Sequence, residues 1–180
     1  MSLLELVQDA VKKGAQAEIM PETLFGFTYW SHMIPPMKPD HTCILGYGKG
    51  RAAELMRKIW GQMKITGVDI QDREYDYIEY KMKVMDALEF MKDCTTGLFK
   101  TKFDYICVDL WNGSEIPKFM FEPEFSVRLS EMSAGFVCMN IKRDQMRRIM
   151  DFMEDYGGFF LERGDLVGQN AVLWWSAKSE

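Results

Sequence analysis

The sequence predicts a doubly wound α/β fold, in which a mostly parallel sheet carries helices on both faces. Three observations carry that expectation. Strand-like and helix-like runs alternate from about residue 42 onward. The strand-like runs, such as Tyr105-Ile106-Cys107-Val108, are almost wholly apolar, as strands buried on both faces must be. Glycine or aspartate then stands at the carboxyl end of one run after another, which is where open sheets of this kind bind ligands.

Leu3, Leu4, Val7 and Val11 recur at helical spacing, and Gly14 follows two lysines, so a helix is expected over 2–14. Residues 18–41 are broken by Pro21, Pro35, Pro36 and Pro39. They hold an aromatic cluster, Phe25, Phe27, Tyr29 and Trp30, followed by His32. Residues 1–40 thus read as an N-terminal helix with an aromatic lid segment, and 41–180 as the core. A short buried strand over 42–46 leads through glycines into a helix over 51–60, with Ala52, Leu55, Met56 and Ile59 on one face. Strands follow over 64–70 and 80–85, then a helix from 87 to 91 or slightly beyond, and a strand over 103–109. A helix near 122–132 precedes a strand over 135–141. A helix over 142–155 is expected from Met146, Ile149, Met150 and Met153, which read as its core stripe, while Arg143, Arg147 and Arg148 read as a solvated face. Two closing strands near 158–162 and 170–176 flank Gly164 and Gly168; the second carries Trp174 and Trp175.

Composition narrows the function. The 180 residues suit one core with a short appendage. Acidic residues outnumber basic ones, 27 to 22, and no basic stripe appears, which argues against nucleic acid as a partner. No apolar run approaches the ~18–20 residues of a membrane span. Glu5 and Asp9 near the start leave no signal-peptide pattern, so a cytoplasmic location is expected. Cys43, Cys94, Cys107 and Cys138 show no CxxC spacing; they read as reduced, packed thiols, with no metal site.

The carboxyl ends of the strands carry the chemistry. Gly46-Tyr47-Gly48-Lys49-Gly50 is a loop whose glycines let backbone approach a ligand closely. Its spacing is G-x-G-x-G, with Arg51 where a dinucleotide fingerprint needs glycine, which disfavours an NAD-type oxidoreductase. Asp69 stands 23 residues after Gly46, close to the roughly 20 at which a carboxylate grips a ribose hydroxyl pair. Asp86-Ala87 and Asp109 end the next two strands. Together they point to a nucleoside-type ligand; Asp86 alone is equally a helix N-cap.

Gly46-Tyr47-Gly48-Lys49-Gly50, Gly67-Val68-Asp69, Met85-Asp86-Ala87-Leu88-Glu89-Phe90 and Phe103-Asp104-Tyr105-Ile106-Cys107-Val108-Asp109 resemble the class I S-adenosylmethionine-dependent methyltransferases, and within them the spermidine synthase-like branch. The resemblance covers about residues 40–176. It implies a Rossmann-like sheet of seven strands, mostly parallel, with the last strand antiparallel, and S-adenosylmethionine as cofactor. Gly46, Tyr47, Gly48 and Gly50 would pass its methionine moiety, Asp69 would take the ribose hydroxyls, and Ile70 would be a further cofactor-binding residue. Asp86 would accept from the adenine amino group beside Ala87. Asp109 would sit near the sulfonium and is the expected catalytic residue. Where spermidine synthases carry Asp-x-x-Asp, this chain has Asp109-Leu110-Trp111-Asn112, so the second carboxylate is replaced by an amide. Methyl transfer to a small-molecule acceptor is the leading expectation. Aminopropyl transfer to an amine and non-catalytic nucleoside binding are the alternatives, and a homodimer stays open.

Tyr29, His32, Trp111 and Asn112 are the residues expected nearest an acceptor. His32 either reaches it or packs within an aromatic lid. Trp111 either stacks on a ring or packs. Asn140 either holds a loop or touches substrate, and His41 reads as a loop residue.

Overall fold

The structure is a computed structural model that describes residues 2–18, 29–72, 81–96, 100–145, 148, 159–161 and 170–176. Seven strands form one sheet: β1 (His41–Leu45), β2 (Lys64–Asp69), β3 (Lys81–Val84), β4 (Phe103–Val108), β5 (Ser133–Lys142), β6 (Phe159–Leu161) and β7 (Asn170–Ser176). Their order is β3-β2-β1-β4-β5-β7-β6. The strands β1 to β5 pair in parallel, and β7 runs antiparallel to both β5 and β6. From β1 the chain first builds outward to β3, then returns to add β4 on the other side. The gap above β1 and β4 is therefore the point at which strand order reverses, where such sheets leave a crevice.

Both faces are covered. Helices α3 (Ala87–Thr96) and α4 (Pro123–Met132) bring Phe90, Met91, Phe125, Leu129 and Met132 onto Leu45, Val68, Ile106, Val137 and Trp175. On the other face α1 (Leu3–Glu18), α2 (Arg51–Trp60) and a 3₁₀ turn (Tyr29–Met33) bring Val7, Val11, Met33, Ala53 and Met56 onto Ile44, Ile65, Tyr105, Cys138 and Trp174. Alternation along the strands supplies both cores at once, and Trp174 and Trp175 are fully buried on opposite faces. All four cysteines are free and buried. Among the described residues no helix is long and apolar enough to cross a membrane, and no three His, Cys, Asp or Glu side chains gather as a metal site.

Several boundaries differ from the sequence reading. Helix α1 continues through Gly14 to Glu18. A Cβ at Gly14 would lie 3.1 Å from Ser31 Cα and Ile34 Cγ1, so this glycine lets the helix press against the 3₁₀ turn instead of ending it. His41 is not in a loop. It opens β1, its Nε2 lies 2.9 Å from Thr66 Oγ1, and its ring meets Phe103 edge-on at 4.5 Å. Strand β5 runs through Lys142, because β7 pairs with it as far as Asn170. A 3₁₀ turn (Arg143–Gln145) then stands where a helix was expected to begin. Most of the expected helix over 142–155, with Met146, Arg147, Ile149, Met150 and Met153, lies outside the described residues, as do Phe25, Phe27, Tyr80, Gly164 and Gly168. Strands β1, β2 and β4 each stop one residue sooner than expected, so Gly46, Ile70 and Asp109 are the first residues beyond the sheet.

Candidate functional site

The crevice is built where β1 and β4 end. Gly46 N and Tyr47 N both donate to Val68 O, at 2.8 and 3.0 Å, and Asp109 N donates to Leu45 O at 2.8 Å. These bonds draw the ends of β2, β1 and β4 together. Gly46 has φ +83°, and a Cβ there would lie 2.2 Å from the Asp109 carbonyl oxygen. Only glycine can take that backbone conformation against that neighbour without strain. Gly50, φ +87°, caps α2 and is buried behind the loop.

Asp69 ends β2 with 8% of its surface exposed. Its Oδ2 accepts from Gly48 N at 2.8 Å and its Oδ1 from Gln71 N at 2.9 Å, so backbone amides orient the carboxylate. Asp86 precedes α3. Its Oδ1 accepts from Leu88 N at 2.8 Å and weakly from Glu89 N at 3.4 Å. It is thus a helix N-cap, and its Oδ2 has no hydrogen bond among the described residues.

Asp109 is held differently. Oδ1 accepts from Trp111 Nε1 and Asn140 Nδ2, each at 2.8 Å, and Oδ2 accepts from Tyr29 Oη at 2.9 Å. Burial raises its carboxyl pKa above the usual range, and hydrogen bonds from Asn140, Trp111, Tyr29 and Trp30 oppose the rise. Burial, and then the charge of Asp109, push the Tyr29 phenol well up, so Tyr29 keeps its proton. The Tyr29 and Trp30 rings lie 5.3 Å apart. Asn112 forms a tight turn with Glu115, through N-to-O bonds of 2.8 and 3.1 Å around Gly113 at φ +63°. Glu115 is tied in turn to Lys142 at 2.9 Å.

These parts surround one cavity of about 680 Å³, a volume suited to a small organic ligand. Of the expected residues, Gly46, Tyr47, Gly48, Asp69, Ile70, Asp86, Ala87, Asp109, Tyr29, Trp111 and Asn112 line it. Gly50 stands behind that wall. His32 is not on the wall and is corrected here. The 3₁₀ turn directs it inward, 2% exposed, with Nδ1 3.1 Å from Ser31 Oγ and its carbonyl accepting from Trp174 Nε1 at 3.0 Å. Of the two readings for His32, packing is the one the structure supports. Trp111 packs against the core, one of its two expected roles, and also donates its indole N–H to Asp109 Oδ1. Asn140 does not itself line the cavity; it donates to Asp109, the first residue of the loop after β4, and so holds that loop.

Sequence reasoning missed Lys49, Arg51, Gln71 and Phe119 as wall residues. Lys49 lay inside the glycine motif and its charge was the available signal. The cavity is therefore polar along three carboxylates, aromatic at Tyr29, Trp30, Trp111 and Phe119, and basic at the glycine loop. That suits an elongated ligand with hydroxyls, a flat ring and charged ends.

The sequence matches no family model and no curated protein. Solved structures do match the fold. Human methyltransferase-like protein 13 in complex with SAH superposes with a TM-score of 0.64 at 15% identity, over 93% of this chain and 80% of that one. A probable spermidine synthase from Corynebacterium glutamicum gives 0.60 at 17% identity, over 97% and 65%. An O-methyltransferase from Bacillus cereus in complex with SAH gives 0.57 at 9% identity, over 96% and 90%. The chain has the Rossmann-like fold of the S-adenosylmethionine-dependent methyltransferases, which spermidine synthases share.

Proposed function

We propose that this protein is an S-adenosylmethionine-dependent transferase that methylates a small acceptor. One observation carries the reading: the glycine loop, Asp69, Asp86-Ala87 and Asp109 line a single cavity at the strand-order reversal of a methyltransferase fold. The residues fit the cofactor part by part. Asp69, fixed by two backbone amides, takes the ribose hydroxyls. Asp86 offers Oδ2 to the adenine amino group while Oδ1 caps α3. Ile70, 68% exposed, covers the purine beside Ala87. The loop from Gly46 to Gly48 lets the methionine chain run close to backbone. The cofactor supplies an electrophilic methyl group on a sulfonium. The chain's own part is to bind, to exclude water and to set charge: Asp109 places a carboxylate at the cationic end, and Tyr29, Trp30, Trp111 and Phe119 wall the acceptor side.

Two features favour methyl over aminopropyl transfer. Asn112 supplies no second carboxylate for a polyamine. Lys49 lines the cavity with no ion pair among the described residues, beside Arg51. Intact S-adenosylmethionine brings a carboxylate to that end, whereas the decarboxylated form brings only an ammonium, which Lys49 repels, the charge of Arg51 being engaged by Glu54 at 3.0 Å. The fold likeness to a probable spermidine synthase keeps aminopropyl transfer as the second reading.

Titration calorimetry with S-adenosylmethionine, its decarboxylated form, S-adenosylhomocysteine and NAD separates these. Heat from the two carboxylate-bearing sulfur nucleosides is expected, with Lys49→Glu narrowing or reversing the preference over the decarboxylated form. Preference of the wild type for the decarboxylated form would favour aminopropyl transfer. Silence with every sulfur nucleoside would end the proposal.

A further inference from the structure

Asp109 draws its donors from three separate parts of the chain, and all three are neutral. Trp111 belongs to the loop after β4, Asn140 to β5, and Tyr29, with the smaller contribution of the neighbouring Trp30, to the 3₁₀ turn. No described Lys or Arg pairs with it. The titratable groups facing it are the Tyr29 phenol and, two residues earlier on β4, the Cys107 thiol. Tyr29 is raised by burial, and Cys107 by its hydrogen bond with Cys138 and then by burial, so both are neutral. The charged residues on the cavity wall are Lys49 in the glycine loop, Arg51 opening α2, Asp69 ending β2 and Asp86 before α3. Lys142, further along β5, is engaged by Glu115.

We infer that Asn140 is a positioning residue that decides which oxygen of Asp109 takes up a proton. An amide NH₂ and an indole N–H can only donate. A proton on Oδ1 would face both of them, so Oδ1 stays bare. Oδ2 differs, because the Tyr29 hydroxyl can turn from donor to acceptor. Protonation is thereby confined to Oδ2, the oxygen whose cavity-lining partner, Tyr29, can accept as well as donate; Trp111, on the wall beside Oδ1, can only donate.

The state of Asn140 itself supports this role. It is fully buried, and its Oδ1 accepts no hydrogen bond among the described residues. Leaving a buried acceptor unsatisfied is costly. Turning the amide end for end would be worse, because it would aim that oxygen at a carboxylate. The charge of Asp109 thus fixes the amide's orientation, and the amide in turn fixes the charge on Oδ1. Under the proposed reading, Oδ2 and Tyr29 become the proton-exchanging edge of the acceptor site. That consequence rests on the reading, whereas the siting of the proton does not.

The test uses ligand-free protein. Carboxylate carbons are followed by NMR through a pH titration of aspartate-labelled protein, with Asp109 identified by its absence in Asp109→Asn. In Asn140→Leu, which keeps the branched shape and removes the donor, the Asp109 midpoint should rise by about one pH unit, the size of one lost hydrogen bond to a charged group. An unchanged midpoint in a variant that melts like wild type would overturn the inference. Should Asn140→Leu fail to fold, Trp111→Phe at its half-buried position removes the other Oδ1 donor. A similar rise is then expected, and no rise there overturns the idea equally. Cofactor binding enters neither result, so failure here and failure of the transferase reading are distinguishable.

Discussion

The two halves of the cavity wall are held by different means. In the half proposed to hold the nucleoside, backbone orients the carboxylates: Asp69 by the amides of Gly48 and Gln71, Asp86 by those of Leu88 and Glu89. In the half proposed to face the acceptor, side chains orient Asp109, from positions 2, 31 and 80 residues away in sequence. Backbone amides persist whatever side chains surround them, so the first half is rigid as long as its glycines and turns survive. The second half depends on three particular side chains, so a few substitutions can retune it. Under the proposed reading, that division lets the acceptor side change while the cofactor side is kept.

The largest expected effect falls on the joint between the halves. Gly46→Ala should cost about 3 kcal/mol or more, because the new Cβ meets the Asp109 carbonyl as well as the strained φ. Gly48→Ala, at φ +57° with nothing within 4 Å of its Cβ, should cost only about 1 kcal/mol. Chemical denaturation measures both. Equal losses would show that the close approach at Gly46 is not what joins the halves.

Asp86→Ala comes next. It removes an N-cap, worth about 1 kcal/mol of stability, and should also weaken S-adenosylhomocysteine binding. Asp86→Asn keeps the cap and should lose binding alone. If both variants bound as wild type does, Asp86 would be a cap and nothing more.

The third effect is a pH dependence confined to the acceptor half. The folded pKa of Asp109 is raised, so the folded protein holds that proton more tightly than the unfolded chain, whose value is near 3.9. The proton-linked stabilisation is present in full below the unfolded value. It is lost as pH rises through the folded value, above which the cost of burying the charge is constant. The stability of the wild type relative to Asp109→Asn should therefore fall across that window, as thermal melts at stepped pH would show. A difference independent of pH would mean that Asp109 titrates normally.

The smallest effect belongs to Tyr29→Phe, which removes the hydroxyl donor to Asp109 Oδ2. It should cost about 1 kcal/mol and leave S-adenosylhomocysteine affinity nearly unchanged. A large loss of affinity would erase the boundary between the halves.

The same division explains what could be read from the sequence. Apolar runs announced the parallel strands, and the glycine loop, Asp69 and Asp86 could be read because their partners lie within a turn or at the next strand end. Gly14 read as a stop because nothing near it in sequence reveals that Ser31 and Ile34 press against it. The end of β5 was hidden because Lys142 pairs with Asn170, 28 residues on. His32 drew attention as a histidine among aromatics, yet the direction of a 3₁₀ turn decides whether it faces ligand or core. Asn140 could be placed on a strand, but its bond to Asp109 is a tertiary contact with no local signature.

The claim that the backbone-held half binds the nucleoside is tested most directly by titrating S-adenosylhomocysteine into wild type, Asp69→Ala and Tyr29→Phe by calorimetry. Saturable one-to-one heat is expected for wild type and Tyr29→Phe, with heat lost in Asp69→Ala while that variant still melts cooperatively. No heat from wild type, or undiminished affinity in Asp69→Ala, would contradict it.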